Sequence, residues 1–174
     1  MSVLFPMPAT TERLRALLQA AEGDVLFLAD PRVAVTPGPR MFERMAQALR
    51  DTGAGWVYSD SAGHARIDYR PGSLRDTFDF GPVVALSVPL ARAAGLAPDL
   101  RFSALYDLRL RLSEAAPVVR VPEPLYVSGP LETRPTGEAQ FDYVDPRNRE
   151  VQVERERVAT EHLSRIGALL PPVF

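Results

Sequence analysis

A chain of 174 residues with a formal net charge of −2 has the size of one domain and enough apolar residues to bury a core. It contains no cysteine, which excludes disulfide frameworks, thiolate nucleophiles and thiolate metal sites. All 20 basic residues are arginine, which excludes Schiff-base and Walker-type lysine chemistry, and the slightly acidic balance argues against a nucleic-acid partner.

The N-terminal MSVLFPMPATTERL has no basic leader followed by a long apolar core. No apolar run reaches membrane-spanning length, so a cytoplasmic protein without a membrane span is expected. Ser2–Phe5 reads as a short strand closed by Pro6 and Pro8. Thr10 or Thr11 can cap a helix that carries Leu14, Leu17, Leu18 and Ala21 at helical spacing and ends at Gly23. Val25–Leu28 is then a continuous apolar run without polar alternation, the pattern of a strand buried on both faces. It stops at Asp30-Pro31-Arg32, because proline cannot donate to a ladder. Open α/β sheets bind ligands beyond the carboxyl ends of their strands, which makes Asp30 a candidate site residue. Pro37-Gly38-Pro39 breaks the chain, and Met41–Arg50 forms an amphipathic helix. Trp56–Asp60 is a second apolar strand that also ends in an acid, and two strand–helix units in succession imply a parallel sheet.

Ser61–Asp79 is polar and irregular, the longest candidate loop, with a short strand at Ala65–Tyr69. Val83–Ser87 reads as a strand. Pro89 opens a short helix to Ala94, and Ser103–Ala115 is a longer helix with Leu105, Leu108, Leu112 and Ala115 on one side. Val118–Val121 is a strand that PEPLYV continues as an edge, and Ser128–Asp142 is loop-like. A last helix of about 146–167 starts at Asp145-Pro146 and ends at Gly167 and Pro171-Pro172. His162 lies near its apolar stripe and reads as a packed residue rather than a ligand. Asp79-Phe80-Gly81 has none of the other segments of a kinase, and Gly81-Pro82 reads as a turn into the next strand.

Four segments in order carry a resemblance: Ala21–Asp30 as A-x-G-D-apolar-apolar-F-L-x-D, then Val57–Asp60 as apolar-Y-S-D, then D-F-x-x-G-like text before a strand, then YDLRLRLSE followed by VVRVPEPLYV. From Ala20 to Val127 the chain resembles the later part of the family-2 glycosyltransferases, which have the GT-A fold. The resemblance implies a nucleotide-sugar donor and, where the family mechanism is retained, Mn or Mg. It also places a D-x-D metal motif at Asp30, where this chain has Asp30-Pro31-Arg32. A carboxylate beside a guanidinium pairs with it in preference to a cation. The family's acceptor-side acids fall on Ala104 and Leu105, leaving Asp107 as the nearest carboxylate for a base. The spacing also allows Asp107 a plain helical pair with Arg111. Only Met1–Glu22 precedes the core strand here, so the rest of the family's nucleotide-binding half is expected to be absent or severely shortened.

The expectation is one three-layer α/β/α domain over 1–174, GT-A-like and shortened, with a mainly parallel central sheet. Its last helix packs on the domain or leads to another. Asp30, Arg32, Asp60 and Arg111 are expected to bind substrate and Asp107 to serve as the catalytic base, with no protein-bound metal, and Asp30, Asp60 and Asp107 are expected to converge in one cleft at the C-terminal side of the sheet. Asp30 and Asp60 are expected to end neighbouring strands. Two functions stay open: a minimal transferase in which Arg32 stands in for the metal charge, or a non-catalytic module that binds a sugar, a nucleotide or a protein. A homo-oligomer or an attached glycosyltransferase domain is the expected partner.

Overall fold

The computed structural model describes residues 3–129 and 146–170. In chain order its elements are β1 (Leu4–Pro6), α1 (Thr11–Ala20), β2 (Val25–Ala29), β3 (Val35–Pro37), α2 (Met41–Thr52), β4 (Trp56–Ser61), β5 (Val83–Ser87), α3 (Val88–Ala94), α4 (Ala104–Ala115), β6 (Val118–Ser128) and α5 (Pro146–Arg165). The expected loop at Ser128–Asp142 beyond Gly129, the Asp145 cap and the Pro171-Pro172 stop lie outside the described residues.

The apolar run of β2 is buried as its pattern requires, with Leu26, Phe27 and Leu28 each 5 % exposed or less. Successive strand residues point to opposite faces, and this divides the core. Leu26, Leu28, Trp56, Tyr58, Val84 and Leu86 pack on one face against Leu14 and Leu18 of α1, Leu108 and Leu112 of α4 and Val158 of α5. Phe27, Val57, Val83 and Ala85 pack on the other against Met41, Met45 and Leu49 of α2. The result is a sheet between two helical layers. Leu108 is fully buried, and truncating such a residue to alanine costs about 2–5 kcal/mol. Helix starts follow local chemistry: the Thr10 side chain accepts from the Arg13 amide, and the Ser87 side chain from the Leu90 amide.

The six strands lie in the order β1-β2-β5-β4-β6-β3. β1, β2, β4 and β6 point one way, and β5 and β3 run against them. The sheet is therefore mainly parallel in direction, but β5 separates β2 from β4, so Asp30 and Asp60 do not end neighbouring strands. The cause is the connection between β4 and β5. It contains no helix to carry the chain back across the sheet, so β5 re-enters at the end where β4 left and runs antiparallel.

Two further expectations are corrected. PEPLYV is not an edge, because β3 pairs outside it, Val35 to Ser128 and Pro37 to Tyr126. Pro37 can occupy such a place because the outermost strand needs no outward donor. Ala65–Tyr69 forms no strand. It is held by side chains instead, the Arg66 amide donating to Asp60 Oδ1 (2.9 Å) and the Tyr58 hydroxyl to the Ile67 carbonyl (2.7 Å). At the opposite edge, the Met7 amide donates inward to the Ala29 carbonyl (2.8 Å). By alternation Pro6 then faces outward, where it offers no donor to a further strand.

Candidate functional site

The polar side chains at one end of the sheet follow from how the strands stop. Asp30 leaves β2 with its amide bonded to the Pro82 carbonyl (2.8 Å). Pro31 turns the chain and brings Arg32 back onto Asp30. Arg32 donates to the carboxylate through its amide (2.9 Å), Nε (3.0 Å) and Nη2 (2.7 Å). The Arg32 guanidinium holds the Asp30 carboxyl below its usual range. Arg32 is 63 % exposed and Asp30 16 %, so solvent reaches the pair from the arginine side.

Asp60 lies in β4 where the ladder to β6 is irregular. Ser59 pairs with Val121, Asp60 with Pro124 and Ser61 with Tyr126. Pro122 and Pro124 cannot donate, and the extra β6 residues bulge there. Arg120 donates to both Asp60 oxygens, Nε to Oδ1 (2.8 Å) and Nη2 to Oδ2 (2.7 Å), and to Asp68 through Nη1 (3.2 Å). These bonds, with the Arg66 amide, lower the Asp60 carboxyl against the opposing effect of its burial. The β2–β5 register carried one step on and the β4–β5 register carried two steps on set Asp30 and Asp60 on either side of Pro82, roughly 10 Å apart at two strand spacings.

The long loop adds its own groups to this end. Arg66 is 8 % exposed. It donates to the Ser59 carbonyl (3.1 Å), more weakly to Ser61 Oγ (3.4 Å) and to Asp79 Oδ1 (3.4 Å). Asp79 also accepts from the Gly81 amide (2.8 Å) and meets His64 Nε2 at 3.1 Å. Burial raises the Asp79 carboxyl, but the Gly81 amide and the Arg66 charge outweigh it and leave it lowered. Asp79-Phe80-Gly81 is thus a turn, with Gly81 at φ +73°. Burial pushes the adjacent Tyr126 hydroxyl up to about 12.

Asp107 and Arg111 stand apart from this group. Asp107 is fully buried in α4. Its Oδ2 accepts from the Ala97 amide (3.0 Å) and Arg111 Nε (2.8 Å), the helical pair that the spacing allows, and Oδ1 has no partner. A base must lie within hydrogen-bond reach of its proton, and a wholly enclosed carboxylate offers no such approach in this conformation. The structure brings Asp30, Arg32 and Asp60 to one end of the sheet and holds Asp107 and Arg111 in the helical layer.

Sequence reasoning missed Arg120, Arg66 and Arg109. Arg120 had a signal, a lone charge inside the apolar run VVRV. Arg109 sits among leucines in α4 and is 2 % exposed. It fastens the long loop by donating to the Ser73 carbonyl (2.8 Å), the Arg75 carbonyl (3.2 Å) and the Tyr69 hydroxyl (3.1 Å), with its guanidinium 5.0 Å from the Tyr106 ring centre.

These residues do not fit a divalent cation. A hard cation needs several free oxygen ligands, and both strand-end carboxylates are engaged by arginine. Among the described residues no group of three or more acidic or histidine side chains is placed to hold a metal. No helix of the described residues is long and apolar enough to cross a membrane.

No protein-family model and no curated protein sequence matches the chain. Solved structures do. Glucosyl-3-phosphoglycerate synthase from Mycobacterium tuberculosis, in complex with Mn2+, UDP-glucose and phosphoglyceric acid, is 21 % identical with a TM-score of 0.52. Its complex with Mg2+ and UDP is 22 % identical with a TM-score of 0.53. The alignments cover 95 % and 97 % of this chain, which spans 57 % of the length of each of those proteins. The fold is therefore of the GT-A glycosyltransferase type.

Proposed function

We propose that this chain is a glycosyltransferase-fold domain that binds the anionic part of a nucleotide-sugar or sugar phosphate without a divalent cation. It does not carry out sugar transfer on its own and serves as an accessory to a transferase. The observation that carries this reading is the Asp30–Arg32 pair. It occupies the strand end where the resemblance places the metal-binding acids. Two carboxylates there would repel a diphosphate unless a cation lay between. A carboxylate joined to a guanidinium is close to neutral, and Nη1 of Arg32 takes no part in the pair. Arginine presents a planar fork of donors suited to phosphate oxygens. The ligand class comes from the similar structures, which hold UDP-glucose or UDP beside Mn2+ or Mg2+. The enclosed Asp107 and the absent acids at Ala104 and Leu105 support the loss of transfer.

Calorimetric titration with UDP and UDP-glucose, with and without Mn2+, tests this. The expected result is binding whose affinity the metal leaves unchanged, with no glucose released or transferred. Metal-dependent binding or turnover would overturn the reading, and no binding of either ligand would remove its ligand-binding part.

A further inference from the structure

His64 is mounted at the end of β4 by backbone bonds. The Ser61 amide donates to the His64 carbonyl (3.1 Å) and the His64 amide to the Ser61 carbonyl (3.0 Å). The two residues between them form a tight turn in which Gly63 takes φ +77°, as in a short hairpin. The next amide, that of Ala62, donates to the Tyr126 carbonyl (2.9 Å), on the β6 side of β4. Successive strand residues aim their backbone groups at opposite edges. Ser61 and the bridged His64 therefore lie on the other side, toward β5 and the strand end that carries Asp30 and Arg32. Asp79, which meets the His64 ring, closes the same region. It accepts from the Gly81 amide, and the adjoining Pro82 carbonyl takes the Asp30 amide (2.8 Å).

The ring is fixed at one nitrogen only. Nε2 lies 3.1 Å from Asp79 Oδ2. Burial opposes ionisation of Asp79, but the Gly81 amide and the Arg66 charge outweigh it. An ionised carboxylate only accepts hydrogen bonds, so Nε2 carries a hydrogen, and in the neutral imidazole Nδ1 is then a bare acceptor. No described residue bonds Nδ1, and the side chain is 60 % exposed. An ionised phosphate oxygen has no hydrogen to give such a nitrogen, whereas a hydroxyl has. We infer that His64 is the hydroxyl-binding residue of the Asp30–Arg32 site, accepting at Nδ1 from a ribose or sugar hydroxyl of an anion seated on Arg32. Asp79 is its positioning residue. The inference rests on the anion-binding reading above and adds which part of the ligand, beyond its phosphates, the protein recognises.

Metal-free calorimetric titration of wild type and His64→Ala with pyrophosphate, UDP and UDP-glucose tests the inference. Pyrophosphate, which carries neither ribose nor sugar, should bind both proteins equally. UDP-glucose should bind His64→Ala about tenfold more weakly. The same loss for UDP assigns the hydroxyl to the ribose, and a loss confined to UDP-glucose assigns it to the glucose. Long-range proton–nitrogen NMR of the His64 imidazole gives a second readout. Wild type should show the tautomer with hydrogen on Nε2 and an Nδ1 signal that moves when UDP-glucose is added, and Asp79→Asn should lose that tautomer preference. An equal weakening with pyrophosphate, no weakening with any ligand, or a wild type with hydrogen on Nδ1 overturns the inference while the anion-binding reading stands. A wild type that binds none of the three ligands overturns both.

Discussion

Asp60 meets two nitrogens of Arg120 and the amide of Arg66, and it is 7 % exposed. The Arg120 guanidinium holds its carboxyl below the usual carboxylate range, so folding favours the ionised form. The stabilisation is therefore complete above the unfolded value and is lost as pH falls through the folded one. Guanidinium unfolding should show wild type losing stability between about pH 5 and pH 2, with a shallower loss in Asp60→Asn. At neutral pH that variant should be less stable by about 1–3 kcal/mol, since Arg120 loses a charged acceptor. A pH dependence identical in both proteins would show that the pair contributes nothing. Arg32 differs from Arg120 because it is mostly exposed and its pair is local. Arg32→Ala should change stability by less than about 1 kcal/mol while weakening anion binding, which separates a ligand-facing role from a structural one.

At the scale of elements, the connection between β4 and β5 takes its shape from side chains rather than from a ladder. Gly81 holds φ +73°. A Cβ there would lie 2.5 Å from Arg66 Cζ and Nε and closer still to the Tyr126 hydroxyl. Gly81→Ala should therefore cost about 2–4 kcal/mol in unfolding free energy, and a cost under about half a kcal/mol would contradict the packing described. Arg109→Leu should leave α4 intact but release the Ser73 and Arg75 carbonyls. Faster amide exchange and proteolysis within residues 62–79, at unchanged protection of β2, would show this. Much of the element layout is legible in the sequence. The apolar runs of β2, β4 and β5 and the amphipathic α2 and α4 lie where their periodicity puts them. The direction of β5 was not legible, because it depends on the absence of a crossover helix. The Val35–Pro37 strand was hidden by a proline whose place is allowed only at an edge. Asp30 and Asp60 could be found from their strand ends. Arg66 could not, since it becomes buried only after a loop without periodicity folds over β4.

At the scale of the whole molecule, the sheet formed by the described residues has β1 at one edge, where Pro6 offers no outward donor. The chain spans 57 % of the length of the similar glycosyltransferase structures, which hold Mn2+ or Mg2+ together with UDP or UDP-glucose. We propose that the strand end where the resemblance puts a metal motif holds an internal ion pair here. Titrating Mn2+ into wild type and Arg32→Asp, followed by the loss of free-ion signal in electron paramagnetic resonance, tests it most directly. The account predicts no saturable Mn2+ binding by wild type and a gain of at least about tenfold in affinity for Arg32→Asp, which restores a second carboxylate two residues after Asp30. Tight Mn2+ binding by wild type, or equal affinity in the two proteins, would contradict it.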